Sequence, residues 1–443
     1  MAGGGRSRSP RPGQSVRRPT IPVLAIRRQG DYSHLYSLCL FLIAAAFVLD
    51  HPGEIFRGLI RIQLSPSNLI TDYMAIGGLG AAFLNAGFVG LLSVLLLRRH
   101  GVKINGAAMA AIITVCGFAF FGKTIFNSFP ITLGTWLYAR VNKRAFKDLI
   151  LTSLYATALG PLVSTLSFGM GFPVWKGIMA GYLAGLLIGF IVAPLSEAFF
   201  SFHQGYNLYN TGFAAGIIGM VATGLLRMFD LQVNTVSILS SGNNLILSPA
   251  ILSLCLILLL VGLRKNKWSF LNYHRLVKRS GRLRCDFVES CGYGVTLINM
   301  AIMGFISWSY IMIVGGQING PSLGALFTIM GFSAYGKHLL NTVPVFMGAF
   351  LASILNMHDP SNTVDMIAVL FGSTLAPISG SFGPLAGALA GFIHVSMVLN
   401  IGYLHGGMNL YNNGFSGAFV AAFLTPLLVM VQKSLAKRKT LSP

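Results

Sequence analysis

Two lysines, Lys123 and Lys337, lie inside long apolar stretches of the chain. They are 214 residues apart, and each sits in the string Gly-Lys-x-x-x-Asn-x-x-Pro, with Asn127 and Asn341 as its amides. An ammonium buried away from water costs several kcal/mol unless it is paired. Asp and Glu total only 11 residues, so few carboxylates are at hand and a bound anion would supply the missing charge. Two other fates are open to these lysines: snorkelling from helix ends to lipid headgroups, or salt bridges to Asp72, Asp286 or Glu197.

A second constellation is also present twice, 202 residues apart: His203, Asn207, Tyr209 and Asn210 in HQGYNLYNTGF, and His405, Asn409, Tyr411 and Asn412 in HGGMNLYNNGF. Amides and imidazoles can replace the hydration shell of a polar solute without a full charge, and histidine can carry protons near neutral pH. The structural alternative is helix capping, although a cap needs one Asn and each copy has two. Asn85 and Asn299 lie within long apolar segments beside glycine. They are read as lining a solute route or as hydrogen-bonding helix to helix. The sequence offers no nucleotide-binding glycine loop, nucleophile triad or metal-ligand cluster, so no cofactor, metal or enzymatic role is expected.

The elements that position these residues must be membrane helices. A chain 54% hydrophobic and 10% charged cannot cover a water-facing surface with polar groups. With about 20 apolar residues per crossing, spans are expected near 34–50, 70–97, 104–121, 129–141, 148–167, 177–200, 211–228 and 248–263. A second set follows near 286–314, 319–335, 340–356, 364–381, 383–401 and 411–431. The fold class is therefore an all-α polytopic bundle of about 12–14 spans. The segments 104–121 and 129–141, and their twins, are either re-entrant hairpins or broken helices, because the second arm is short. Net charge is +21, but the basic residues gather in the tails and a few loops, as the positive-inside rule requires, and nucleic-acid binding is not expected. Cys39, Cys116, Cys255, Cys285 and Cys291 follow no zinc or redox spacing.

The bundle is expected to be a duplication. Ile104–Pro130 aligns with Ile318–Pro344 at 11 of 27 identical positions, and Asp72, Gly78, Gly80 and Asn85 recur in register as Asp286, Gly292, Gly294 and Asn299. The basic loops of one copy have uncharged counterparts in the other: Arg140, Lys143, Arg144 and Lys147 against the stretch 356–363, and Arg98–Lys103 against Gly315–Gln317. That contrast inverts the second copy relative to the first. The expected organisation is a disordered basic tail (1–34), a first span and amphipathic linker (35–69), repeat A (70–228), a connector span with a basic loop (229–285), inverted repeat B (286–431) and a basic tail (432–443). Inverted repeats place their binding site at the interface near the midplane. Glycine-rich faces such as GYLAGLLIGF and GPLAGALAGF allow close helix packing and would suit a homo-oligomer.

At the duplicated GKxxxNxxP and HxGxNLYNxGF strings the chain resembles a family of multi-pass bacterial membrane proteins with no assigned substrate, from about Tyr36 to the C-terminus. That likeness implies a bacterial cytoplasmic membrane, and the distribution of basic residues places both tails on its cytoplasmic side. A weaker resemblance, to urea transporters, rests on their two inverted halves and a His-Gly-aromatic-Asn-Gly string similar to His203–Asn207 and His405–Asn409. The paired lysines have no counterpart in a neutral urea filter.

The sequence therefore leads to a transporter or channel for a small polar or anionic solute held at the repeat interface. Lys123 and Lys337 would form its electropositive centre, with Asn127, Asn341, His203, Asn207, Asn210, His405, Asn409 and Asn412 as ligands. Asn85, Asn299, Tyr209 and Tyr411 would line the route. A passive urea-type or ammonia-type pore is the first alternative, and a membrane-embedded enzyme acting on a lipid-linked substrate the second.

Overall fold

The computed structural model describes residues 32–67, 70–231, 233, 237–355 and 358–441. Residues 1–31, most of the expected disordered tail, lie outside the described residues. In the first half the helices are α1 (Ser33–Leu49), α2 (Pro52–Gln63), α3 (Tyr73–Gly77), α4 (Leu79–Arg99), α5 (Gly106–Phe118) and α6 (Ile125–Val141). They are followed by α7 (Ile150–Ala156), α8 (Gly160–Phe168), α9 (Val174–His203) and α10 (Asn210–Met228). The second half runs through the same series: α11 (Asn244–Lys265), α12 (Tyr273–Val277), α13 (Phe287–Cys291), α14 (Tyr293–Ile313) and α15 (Gly320–Phe332). It continues with α16 (Leu339–Ile354), α17 (Thr363–Gly372), α18 (Ala376–Phe382), α19 (Pro384–Ile401) and α20 (Asn412–Leu441). Each helix thus has its counterpart ten helices further along. The strands among the described residues are one parallel pair of two residues each, Ile70–Thr71 with Ser237–Ile238.

Among the described residues nine helical spans are long and apolar enough to cross a bilayer, or ten if the pair α1 and α2, bent by 117°, forms one span. The chain is therefore an all-α polytopic membrane protein. Helices α5 and α15 have 13 residues each, about 20 Å at 1.5 Å per residue. That falls short of a crossing. The sequence places the first span and the connector outside the duplication. In the structure α1 packs along α4 as α11 packs along α14, so the connector span occupies the place of a first helix in the second half. The last helix also continues to Leu441, through much of the segment read as a tail. The extra residues of the first half lie around α8 and α9: α9 has 30 residues and α19 has 18.

The duplicated residues are those that shape the backbone. Asp72 and Asp286 cap α3 and α13, accepting from the amides of Met74 (2.8 Å) and Glu289 (3.1 Å). Gly78 and Gly292 then turn the chain into α4 and α14 at φ of 93° and 95°, where a side chain would be strained. Glycine contacts are mirrored as well. A methyl on Gly189 would strike the Ile131 carbonyl oxygen between α9 and α6, and one on Gly391 would strike that of Val345 between α19 and α16. These helices approach backbone to backbone, as small residues permit in lipid.

The inversion is visible where α5 and α15 cross. Gly106, at the start of α5, abuts the Ala334 carbonyl just past the end of α15, and Gly320, at the start of α15, abuts the Phe120 carbonyl just past α5. Near the end of α5, Gly117 faces Gly324 and Phe327. The two helices run antiparallel and exchange equivalent contacts, as a two-fold axis between the copies requires. Asp72 reaches across to the amide of Gly320 (3.0 Å), and Asp286 to that of Ala107 (3.3 Å), so each half places a carboxylate at the positive end of the other's short helix.

Candidate functional site

Each short helix ends in a break built from the Gly-Lys-x-x-x-Asn string. After α5 the chain turns through Gly122, at φ 150°, and restarts at Thr124, which shares a capping box with Asn127. After α15 it turns through Gly336, at φ 111°, and restarts at His338 with Asn341 in the same role. The amides of Asn127 and Asn341 also donate to the carbonyls of Gly122 and Gly336, both at 2.9 Å. Asn85 donates to the carbonyls of Ala119 (2.7 Å) and Lys123 (2.9 Å), and Asn299 to those of Ser333 (2.7 Å) and Lys337 (2.8 Å). Non-helical backbone at membrane depth requires such partners. These four asparagines, expected at the solute or along its route, spend their amide groups on the backbone of the breaks.

A second break interrupts a later span in each half, at Thr157–Leu159 between α7 and α8 and at Ser373–Leu375 between α17 and α18. Pro161 and Pro377 follow two residues later and cannot supply the amide an unbroken helix would need. The lysines point here. Lys123 is 2% exposed and donates to the Leu154 carbonyl at 3.1 Å. Lys337 is fully buried and donates to the hydroxyls of Tyr209 and Ser373, both at 2.7 Å, with the Tyr209 ring 4.6 Å away. The salt bridges considered for them are not made: Glu197 pairs with Arg144 at 2.7 Å, and the two aspartates hold the short-helix ends.

The Asn-Leu-Tyr loops cross between the halves. The amide of Leu208 donates to the Thr374 carbonyl (3.0 Å), and that of Leu410 to the Ala158 carbonyl (3.1 Å), so each loop seals the opposite half's second break. The same leucines cover Gly336 and Gly122. Tyr209 and Tyr411 then meet near the two-fold axis, ring centroids 5.1 Å apart, flanked by Phe332 at 4.8 Å and Phe118 at 4.7 Å.

Two cavities flank this seam, and one of them ends on the aromatic plug. One, of about 170 Å³, is lined by Thr152, Tyr155, Tyr209, Asn210, Tyr335 and Tyr411, and opens beside Ala107 and Leu283 at the face bearing the basic loops. The other, of about 100 Å³, is lined by Ile70, Ile367, Ala368, Gly407, Asn412 and Asn413. Ala107 lies at the first turn of α5, whereas Ile70 adjoins the strand and the Asp72 cap near its end, so the cavities enter from opposite faces. They correspond under the duplication, Asn210 with Asn412 and Thr152 with Ala368. Neither cavity is lined by Lys123 or Lys337.

The two histidine sets differ. His203 is satisfied at both ring nitrogens, by Asn210 (2.8 Å) and the Gly205 amide (3.2 Å), while Asn210 donates to the Ser196 carbonyl (2.9 Å). Asn207 donates to the Gly414 carbonyl at 2.8 Å and accepts from the Thr374 hydroxyl. The second-half loop faces Ala158 where the first-half loop faces Thr374. There both ring nitrogens of His405, the amide nitrogen of Asn409, the hydroxyl of Tyr411 and the amide oxygen of Asn412 are buried without a hydrogen bond. Of the residues singled out in the sequence, the structure thus brings Tyr209, Tyr411, Asn210 and Asn412 to cavity walls. Sequence reasoning missed Tyr155, Ser373, Thr374 and Tyr335. The prolines at 161 and 377 were the available signal for the second breaks.

Fold and seam together define a polytopic membrane protein of two antiparallel halves closed on one another by exchanged loops. The chain belongs to the DUF1576 family, described as proteins of unknown function, whose profile matches residues 51–228 and 265–430. No curated protein and no solved structure matches the chain.

Proposed function

We propose that the protein carries a small solute across a bilayer along the seam between its halves, with a small anion or organic acid as the favoured cargo. The observation behind this reading is the pair of cavities that enter from opposite faces, one of them reaching Tyr209 and Tyr411, together with two buried lysines that pair with no carboxylate among the described residues. An ammonium formed at either lysine would attract an anion over several ångströms in a poorly polarisable interior. Lys337 donates to the hydroxyl of Tyr209, a residue of one cavity wall. The arrangement corresponds to a closed state, in which passage requires an Asn-Leu-Tyr loop to leave the break it seals. In this reading the protein is a transporter or channel and not an enzyme. It sits in a bacterial cytoplasmic membrane with the basic loops and both termini on the cytoplasmic side.

A neutral-solute pore is the second reading, favoured by the amide and hydroxyl groups of the cavity walls. Uptake of chloride, phosphate, small carboxylates and urea into proteoliposomes separates the two. Lys337→Met should keep the fold and reduce anion uptake at least about tenfold, the equivalent of 1.4 kcal/mol. Urea flux that Lys337→Met and Lys123→Met leave intact, without anion flux in the parent, would establish the second reading instead.

A further inference from the structure

A third cavity lies away from the seam, on the lipid-facing side of the α5–α15 crossing. Helix α1 follows α4 and α11 follows α14, and the cleft between α1 and α11 has the two short helices as its floor. Towards the basic face the cleft encloses about 320 Å³, walled by Leu38, Met109, Leu254, Leu258, Met300 and Met330. Its symmetry mate at the other end holds only about 20 Å³, because Phe83 stands there where Leu297 stands here. A chain-sized apolar void is therefore present at one end only. Such a void does not retain water. It opens towards the bilayer, beside the α11 helix whose outer side chains Leu256, Ile257 and Leu260 are exposed.

The mouth of the same cavity is cationic. His34 and Tyr293 stack 5.6 Å apart there, and Lys265 lies 5.4 Å above the Tyr293 ring. Arg264 and Lys265, in the last turn of α11, are both exposed. We propose that this cleft binds one anionic phospholipid, an acyl chain filling the void and the phosphate held at Lys265. A second copy of the chain fits the mouth poorly. It would bring the same Arg264 and Lys265 of a +21 molecule to meet their own kind.

Native mass spectrometry of the delipidated full-length protein tests the assignment, using phosphatidylglycerol and phosphatidylcholine with identical acyl chains. One phosphatidylglycerol should be retained per chain in preference to phosphatidylcholine. Lys265→Gln should reduce that preference roughly fivefold, the effect of one cation near an anionic surface, while leaving phosphatidylcholine retention unchanged. Leu254→Trp, which fills the void, should remove tight retention of both lipids. The exposed Lys265→Gln keeps the test valid if Leu254→Trp fails to fold. Equal retention of the two lipids by the parent, no effect of Lys265→Gln, or a dimer that excludes lipid from the cleft would each overturn the proposal. Solute flux does not enter this test, so its outcome is independent of the transport reading.

Discussion

Asn299 and Lys337 illustrate how differently two polar residues that recur in both repeats can be employed. The Asn299 amide bridges the carbonyls of Ser333 and Lys337 and is fully buried. Removing it strands two buried acceptors at about 1–3 kcal/mol each. Asn299→Ala should therefore lower the thermal midpoint of the detergent-solubilised protein by several degrees. Asn299→Asp, which keeps the volume but cannot donate, should lower it comparably. A normal midpoint with altered solute flux would return Asn299 to the route. Much of this was legible in advance: recurrence of Asn, Lys and Gly in register marked positions where lipid-facing monotony fails. What those groups bond to was not, because Asn127 folds back on its own break whereas Asn210 reaches Ser196 on a different helix, and spacing along the chain distinguishes neither case.

At the scale of elements, the carboxylates of Asp72 and Asp286 tie the start of one half's short helix to the other half. Burial pushes both carboxyls above the ordinary carboxylate range. Hydrogen bonds from Ser240, Met74 and Gly320 at Asp72, and from Glu289 and Ala107 at Asp286, oppose the shift. The native state then keeps protons that the unfolded chain has released. Stability should fall as pH rises from the ordinary carboxylate value through the raised native ones, and level off above them. Asp72→Asn with Asp286→Asn should flatten that slope in thermal unfolding measured across the acid range; an unchanged slope would assign it elsewhere. Element boundaries were legible where glycine or proline punctuates an apolar run, as at Gly78 and Gly122. The span expected over 148–167 conceals its break because Thr157–Leu159 is apolar enough to pass for helix, and only Pro161 marks it. The crossing of the Asn-Leu-Tyr loops was not legible at all, since it depends on the pairing of Leu208 with Thr374 in the opposite half.

For the whole molecule, antiparallel halves require equivalent positions to face opposite compartments. Thr152 and Ala368 are such a pair, one on each cavity wall. In a background lacking the five native cysteines, Thr152→Cys should react with a membrane-impermeant thiol reagent only from the basic-loop side, and Ala368→Cys only from the other. Reaction of both from one side would remove the inversion. The recharged loops made this symmetry readable from the sequence, and the antiparallel contact of Gly106 with Ala334 and of Gly320 with Phe120 gives it a physical basis.

The exchanged leucines also set a schedule for biosynthesis. Ala158 is translated about 250 residues before Leu410, the residue that covers its carbonyl, which at 5–20 residues per second is a wait of roughly 12–50 s. Through that interval the peptide oxygen of Ala158 goes without the amide that covers it in the finished fold.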